Sequence, residues 1–197
     1  MNVLILGANG QIARVAIDLF LTKTDSKLTL YLRNAGRLKI SGDASRVHVI
    51  EADVLDFDRL QAAMASQDVV YANLAGQLER EAQCIVKAMK VNGVQRLIFI
   101  SSMGIYDEVP GQHFGAILDP YRKAARVIEA SGLDFTIIRP AWLNDQDVID
   151  YATTQKGQRF QHSAQTVSRK SVADLVVKIA TTPGLGVRAS LGVHRAT

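Results

Sequence analysis

Three small residues follow the first apolar run of the chain at a regular spacing. Gly7, Gly10 and Ala13 form the pattern G-x-x-G-x-x-A in MNVLILGANGQIAR, directly after residues 3–6. One glycine permits a sharp turn out of a strand, the second permits a phosphate group to approach the backbone, and the small third residue permits close packing of helix on strand. The pattern predicts a dinucleotide pyrophosphate at the start of the following helix. The residues expected to contact it are Gly7, Asn9, Gly10, Gln11 and Ile12.

The residues after the second predicted strand indicate which dinucleotide is bound. An acid at this position would bind the ribose 2′-hydroxyl, whereas an arginine would bind a 2′-phosphate. Here residues 28–32 are followed by Arg33 and Asn34, with Arg37 as a second candidate cation. A planar guanidinium can hold a phosphate through two hydrogen bonds. Arg33 therefore favours NADP over NAD, and the alternative is a solvated arginine in a loop.

Composition and charge exclude several other classes of protein. The chain has 197 residues, of which 48% are hydrophobic and 21% charged, and its net charge of +4 is spread along the sequence. We therefore expect one domain over residues 1–197, and no nucleic-acid partner because no basic run or arm is present. One cysteine and four dispersed histidines argue against a disulfide and against a metal site. Without a long apolar stretch or a signal peptide, a cytoplasmic protein with no membrane contact is expected.

Short apolar runs alternate with amphipathic segments, and these elements must position the glycine turn. Strands are predicted near residues 3–6, 28–32, 46–51, 68–74, 96–100, 135–138 and 189–193. Helices are predicted over residues 11–21, 56–65, 79–91 and 119–131, and from a capping box of Ser171 and Asp174 onward. The alternation predicts an α/β fold with a Rossmann-type, doubly wound parallel sheet of about seven strands and helices on both faces. Residues 144–166 are polar and weakly patterned. We expect a small substrate-side region around residues 141–168.

Further motifs stand at the ends of successive predicted strands. They are Asp53-Val54 after the third strand, Asn73-Leu-Ala-Gly76 after the fourth, Ser101-Ser102 after the fifth, and SGLDFTIIRPAWL over residues 131–143. Together with GANGQIA, they resemble the atypical short-chain dehydrogenase/reductase group, most closely its compact NmrA-like, NAD(P)H-binding branch. The resemblance covers nearly the whole chain. It implies a sheet in the order 3-2-1-4-5-6-7 that binds NADP.

The resemblance also implies cofactor contacts at the strand ends. The expected residues are Asp53, Val54, Leu74, Ala75, Gly76, Ser101, Pro140 and Ala141. The Asp53 carboxylate would accept a hydrogen bond from the adenine amino group, and Pro140 with Ala141 would approach the nicotinamide. The family often has glycine in place of Ala141. The structural alternative for Asp53 is a loop cap.

The catalytic pair of the larger family is absent from the sequence. Its reductases place a lysine four residues after a tyrosine on one helix, which brings the ammonium beside the phenol and lowers the phenol pKa. Counting back from the Ser-Gly-Leu motif, these two positions fall near Ile117 and Tyr121, and none of the five tyrosines has a lysine at that spacing. The remaining candidates for proton transfer are Ser102 with its neighbour Ser101, and Tyr121 with Tyr106.

Two functions are consistent with these observations. The first is an NADPH-dependent reductase that transfers hydride to a small carbonyl, quinone or flavin-like acceptor in a pocket walled by Trp142, Leu143 and Tyr151. Quinones and flavins need less help with proton transfer than ketones do, which fits the missing tyrosine–lysine pair. The alternative is a non-catalytic NADP-binding redox sensor of the NmrA type that binds a protein partner. An epimerase would need the same missing pair and ranks last.

Overall fold

Strands that are apolar on both faces form the centre of the fold. The computed structural model describes residues 1–196, so Thr197, the last residue of the predicted domain, lies outside this range. In β1, Val3, Leu4, Ile5 and Leu6 are fully buried because helices cover both faces of the sheet. The elements in chain order are β1 (Asn2–Leu6), α1 (Gln11–Lys23), β2 (Lys27–Leu32), β3 (Val47–Glu51), α2 (Phe57–Ala63), β4 (Val69–Ala72), α3 (Leu78–Asn92), β5 (Arg96–Ile100), α4 (Asp119–Glu129), β6 (Asp134–Pro140), β7 (Trp142–Asn144), β8 (Ala152–Gln155), β9 (Thr166–Ser168), α5 (Arg169–Thr181) and β10 (Ala189–His194).

The main sheet has eight strands in the order β3-β2-β1-β4-β5-β6-β10-β8. The first seven strands in this order are parallel to one another. They reproduce the predicted order 3-2-1-4-5-6-7, with β10 as the seventh strand. The prediction of about seven strands was wrong by one, since β8 pairs antiparallel with β10 at the sheet edge. β8 has the sequence Ala-Thr-Thr-Gln, and a polar edge strand of this kind lacks the apolar pattern that marks a central strand. The strands β7 and β9 form a separate parallel pair within residues 141–168.

The helices divide between the two faces of the sheet. α1 and α5 cover one face, where Phe20 and Val176 belong to the same buried cluster as Ile5. α2, α3 and α4 cover the other face, where Ile85 is buried with Phe99. Because the chain crosses to opposite faces on either side of β1, a crevice opens between the carboxyl ends of β1 and β4. None of the helices within residues 1–196 is long and apolar enough to cross a membrane.

The last helix begins two residues before the predicted capping box. Its N-cap is Ser168, whose hydroxyl accepts a hydrogen bond from the Ser171 N–H at 2.9 Å. Ser171 and Asp174 therefore lie inside α5, and the predicted capping box was wrong. Asp174 instead forms an ion pair with Lys23 of α1 at 3.1 Å. The early start puts Arg169 at the head of the helix.

Candidate functional site

The glycine turn connects β1 to α1 and packs against the residue that follows β4. Gly7 has a φ of +75°, and a Cβ there would lie 2.2 Å from the carbonyl oxygen of Asn73. Gly10 has an ordinary φ of −60°, but a Cβ there would lie 2.0 Å from Asn73 Nδ2. The Gly10 N–H donates to the Gly7 carbonyl at 2.8 Å. The close approach of Asn73 is therefore a second reason for glycine at both positions.

The start of α1 presents N–H groups with no partner inside the helix. The N-cap, Gly10, supplies no side chain, and the first turn contains no acidic residue. The N–H groups of Gln11, Ile12 and Ala13 precede the bond that Arg14 donates to the Gly10 carbonyl at 2.9 Å. These N–H groups and the positive end of the helix dipole favour an anion at this position.

Two adjoining cavities follow the carboxyl ends of the strands and together form one groove. The β2-side cavity has a volume of about 320 Å³, and among the predicted residues Gly7, Asn9, Arg33, Asp53 and Val54 line it. The β6-side cavity has a volume of about 260 Å³ and is lined by the predicted residues Gln11, Ile12, Ser101, Tyr121 and Pro140. The predicted residues that line both cavities are Gly10, Leu74 and Ala75. Asn73 also lines both, so the glycine turn lies where the two cavities meet.

The structure does not bring every predicted residue to the groove. The three that lie outside both cavities are Gly76, Ser102 and Ala141. The Ser102 hydroxyl donates to the Met103 carbonyl at 3.0 Å. Ala141 is buried, and its N–H donates to the Val193 carbonyl at 2.8 Å. Of the two neighbouring serines after β5, Ser101 therefore lines the groove and Ser102 does not.

Three arginines line the β2-side cavity: Arg14, Arg33 and Arg37. Arg33 Nη1 lies 3.9 Å from Asp53 Oδ2, and the two side chains are 72% and 46% exposed. An ion pair this long and this exposed contributes little free energy and exchanges readily for another anion. This end of the groove is therefore suited to a phosphate group.

Asp53 is held by the turn that follows β3. Its Oδ1 accepts a hydrogen bond from the Leu55 N–H at 2.9 Å, and the Tyr31 hydroxyl donates to its carbonyl oxygen at 2.9 Å. Burial, followed by the charges of Asp56 and Asp53, raises the pKa of Tyr31 to about 12, so this hydroxyl keeps its proton. Asp53 thus serves as a loop cap through one oxygen and faces Arg33 through the other.

Besides Arg14 of α1, two charged residues of the groove were not predicted, namely Glu81 of α3 in the β2-side cavity and Arg169 of α5 in the β6-side cavity. Glu81 Oε2 is buried and has no hydrogen-bond partner within residues 1–196. Burial, followed by the charge of Asp53, raises the pKa of this carboxyl, and Arg33 acts in the opposite direction. Neither residue belongs to a local motif, and an acid in the first turn of a helix is ordinarily explained by the helix dipole.

Tyr121 and Ser101 line the β6-side cavity together with Leu143. Ser101 is only 5% exposed, and its hydroxyl oxygen has no hydrogen-bond partner in the described part of the chain. No lysine of residues 1–196 lines this cavity. Lys123 lies 3.7 Å from Glu79 in an exposed ion pair. Within residues 1–196, no lysine from elsewhere in the fold replaces the missing partner of a tyrosine at either cavity.

The other aromatic candidates lie away from the groove. The Tyr106 hydroxyl donates to Glu129 Oε1 at 2.7 Å, and burial raises the pKa of this phenol. Trp142 is 54% exposed and lies outside the β6-side cavity. The Tyr151 hydroxyl donates to Asp174 Oδ2 at 3.1 Å, on the face covered by α5. Of the three predicted wall residues, only the leucine reaches the cavity.

Comparison with known proteins accounts for this groove. A family model described as NAD(P)H-binding matches residues 7–183, from the glycine turn to just beyond α5. The chain belongs to this NAD(P)H-binding family. The resemblance inferred from the strand-end motifs is thereby confirmed. Within the described range, the N–H groups of Gln11 and Ile12 and the Ser101 hydroxyl have no partner, and such donors fit a dinucleotide in the groove.

Three similar proteins agree with this assignment. A Rossmann-fold NAD(P)-binding family protein from Shigella flexneri is 42% identical, with a TM-score of 0.88 over 98% of this chain and 93% of its own. A short-chain dehydrogenase/reductase from Veillonella parvula DSM 2008, solved in complex with NADP, is 29% identical, with a TM-score of 0.88 over 98% of this chain and 94% of its own. The "Uncharacterized sugar epimerase YhfK" of Bacillus subtilis (strain 168) is 26% identical over an alignment 163 residues long, with 74% of each chain covered. The chain therefore has the NAD(P)H-binding, oxidoreductase-like fold of these proteins.

Proposed function

We propose that the chain is an NADPH-dependent oxidoreductase that transfers hydride to a small carbonyl, quinone or flavin-like acceptor. The observation that carries the proposal is the continuity of the groove. Its anion-binding helix start lies between an arginine-lined cavity and a cavity that contains Tyr121 and Ser101. This order matches the adenosine, pyrophosphate and nicotinamide parts of a dinucleotide.

The preference for NADP over NAD is supported by charge at the β2-side cavity. Arg33, Arg37 and Arg14 line it, and the residues directly after β2 are arginine and asparagine. An acid at that position would instead favour the free 2′-hydroxyl of NAD. The NADP complex of the Veillonella relative supports the same preference.

The chain's own residues would bind the cofactor, orient it and supply a proton. When bound, the nicotinamide supplies the hydride. Tyr121 would hold a proton at its hydroxyl for the acceptor, Ser101 would donate a hydrogen bond inside the cavity, and Leu143 would limit the entry of water. Because no lysine within residues 1–196 lines this cavity, Tyr121 lacks the cation that assists proton transfer in other reductases. We therefore expect quinones and flavins to be reduced faster than ketones.

The test is a screen of NADPH oxidation against quinones, flavins and small aldehydes, with NADPH binding measured alongside. Tyr121→Phe should lower kcat with a carbonyl acceptor by about 100-fold and leave the Kd of NADPH unchanged, because general acids contribute on this scale. Tyr151→Phe is the matched control, since this tyrosine lies outside the groove, and it should change neither quantity. Tight NADPH binding without turnover of any acceptor would contradict the reductase and favour the redox sensor.

A further inference from the structure

Arg169 brings a positive charge into the β6-side cavity from the last helix of the chain. It lines this cavity together with Gln11 and Ile12 of α1. Its side chain is only 16% exposed, and its Nε is buried with no hydrogen-bond partner in the range 1–196. Its Nη1 binds Asp145 Oδ1 at 2.8 Å, and that carboxylate is 87% exposed. Asp145 thus fixes one edge of the guanidinium, and Nε has no partner within residues 1–196.

Positive charge lines the β6-side cavity, and Asp145, the carboxylate that pairs with Arg169, lies outside that lining. Among the residues that the structure describes, no aspartate or glutamate lines it. The free N–H groups of Gln11 and Ile12 add the positive end of the α1 dipole. The Ser101 hydroxyl is 5% exposed and also lacks a partner within the described residues. Buried donors without acceptors cost free energy, so an anion in this cavity would be stabilised by all of these groups.

We propose that Arg169 binds the pyrophosphate of the dinucleotide on its nicotinamide side, in addition to the glycine turn. The proposal rests on the proposed binding of NADP(H) in the groove. A phosphate bound by the N–H groups of Gln11 and Ile12 occupies the same cavity that Arg169 lines. The free Nε edge of the guanidinium is suited to a phosphate because its donors form a planar fork. The α5 helix, which begins at Arg169, is then part of the cofactor site.

A comparison of two ligands separates this role from others. NADP⁺ carries the nicotinamide-side phosphate, whereas 2′,5′-ADP has the adenosine half of the cofactor alone. Arg169→Gln should raise the Kd of NADP⁺ by about 10- to 100-fold, the scale of a hydrogen bond to a charged group, and leave the Kd of 2′,5′-ADP unchanged. Arg169→Lys keeps the positive charge but not the planar set of donors, so it should weaken NADP⁺ binding less than Arg169→Gln does. Lys170→Gln is the matched control because Lys170 pairs with Asp147 and lies outside the cavity.

Four outcomes would overturn the proposal, with each Kd measured by titration calorimetry and the KM measured by NADPH oxidation. Equal losses of affinity for NADP⁺ and 2′,5′-ADP would show that the substitution disturbs the glycine turn or the fold. Urea unfolding of Arg169→Gln and Arg169→Lys would identify a disturbed fold. Unchanged NADP⁺ affinity with a raised KM for a carboxylate-bearing acceptor would assign Arg169 to the acceptor. A wild-type chain that binds neither ligand would refute the proposed function itself, whereas normal wild-type binding with an unaffected Arg169→Gln refutes the role of Arg169 alone.

Discussion

Arg33→Gln tests whether the β2-side cavity holds a 2′-phosphate. A charge-assisted hydrogen bond contributes about 1.5–3 kcal/mol when it is shielded from water. Arg33 is 72% exposed and must exchange its 3.9 Å ion pair with Asp53 for the phosphate. We therefore expect a loss of only about 1–2 kcal/mol, or about 5- to 30-fold in the Kd of NADP⁺, after screening by solvent. The Kd of NAD⁺, which lacks the phosphate, should not change.

Titration calorimetry with both dinucleotides, at low and at high salt, measures this difference. The loss for NADP⁺ should shrink as salt is added, because exposed charges are screened. Arg59→Gln is the matched control, since Arg59 is also exposed, lies 3.7 Å from an aspartate and is outside the cavity. Equal losses for NADP⁺ and NAD⁺ would refute the position assigned to the 2′-phosphate. An unchanged Kd of NADP⁺ would refute any contact with Arg33.

Other substitutions test the packing that positions the groove. Glu108→Ala should lower the free energy of unfolding by about 3–5 kcal/mol in urea denaturation, because Glu108 is the ion-pair partner of the fully buried Arg139. A loss under about 1 kcal/mol would contradict this. Gly10→Ala should lower the Tm much less in an Asn73→Ala background than in the wild-type chain, because the added Cβ would lie 2.0 Å from Asn73 Nδ2. Equal losses of Tm in both backgrounds would exclude this clash as the cause. The folded state raises the pKa of the Glu81 carboxyl, so it binds a proton there more tightly than the unfolded state does. The bound proton therefore stabilises the folded state at acidic pH, and this stabilisation is lost as the pH rises through the raised pKa. The Tm of Glu81→Gln minus that of the wild type should therefore increase from acidic to neutral pH. A Tm difference that stays constant across this range would count against the prediction.

Local patterns predict most of the fold. Unbroken apolar runs mark the central strands, and the seven parallel positions of the sheet follow from their alternation with helices. β8 was missed because an edge strand has one neighbour and carries polar side chains, so no apolar pattern marks it. The start of α5 was misplaced because Ser168 and Ser171 are both suitable caps, and the chain stays extended through β9 up to Ser168.

The candidate site is predictable only where a motif lies at the end of one strand. Gly7 follows β1, Arg33 follows β2, and Gly10 caps the helix after the same turn as Gly7, so their placement in the groove depends on local sequence. Glu81 and Arg169 reach the groove from helices on opposite faces of the sheet, and no spacing in the sequence connects them to it.

The sequence by itself determined the dinucleotide fold, the glycine turn and the absence of a tyrosine–lysine pair, because each depends on residues within a few positions of one another. Only the tertiary structure decided which hydroxyls and charges face the groove. It brings Ser101 and Tyr121 to the β6-side cavity, holds Tyr106 in a hydrogen bond with Glu129, and adds Arg169. The physical reason is that the side of a strand or helix that faces a cavity depends on how distant elements pack, and local periodicity carries no record of that packing.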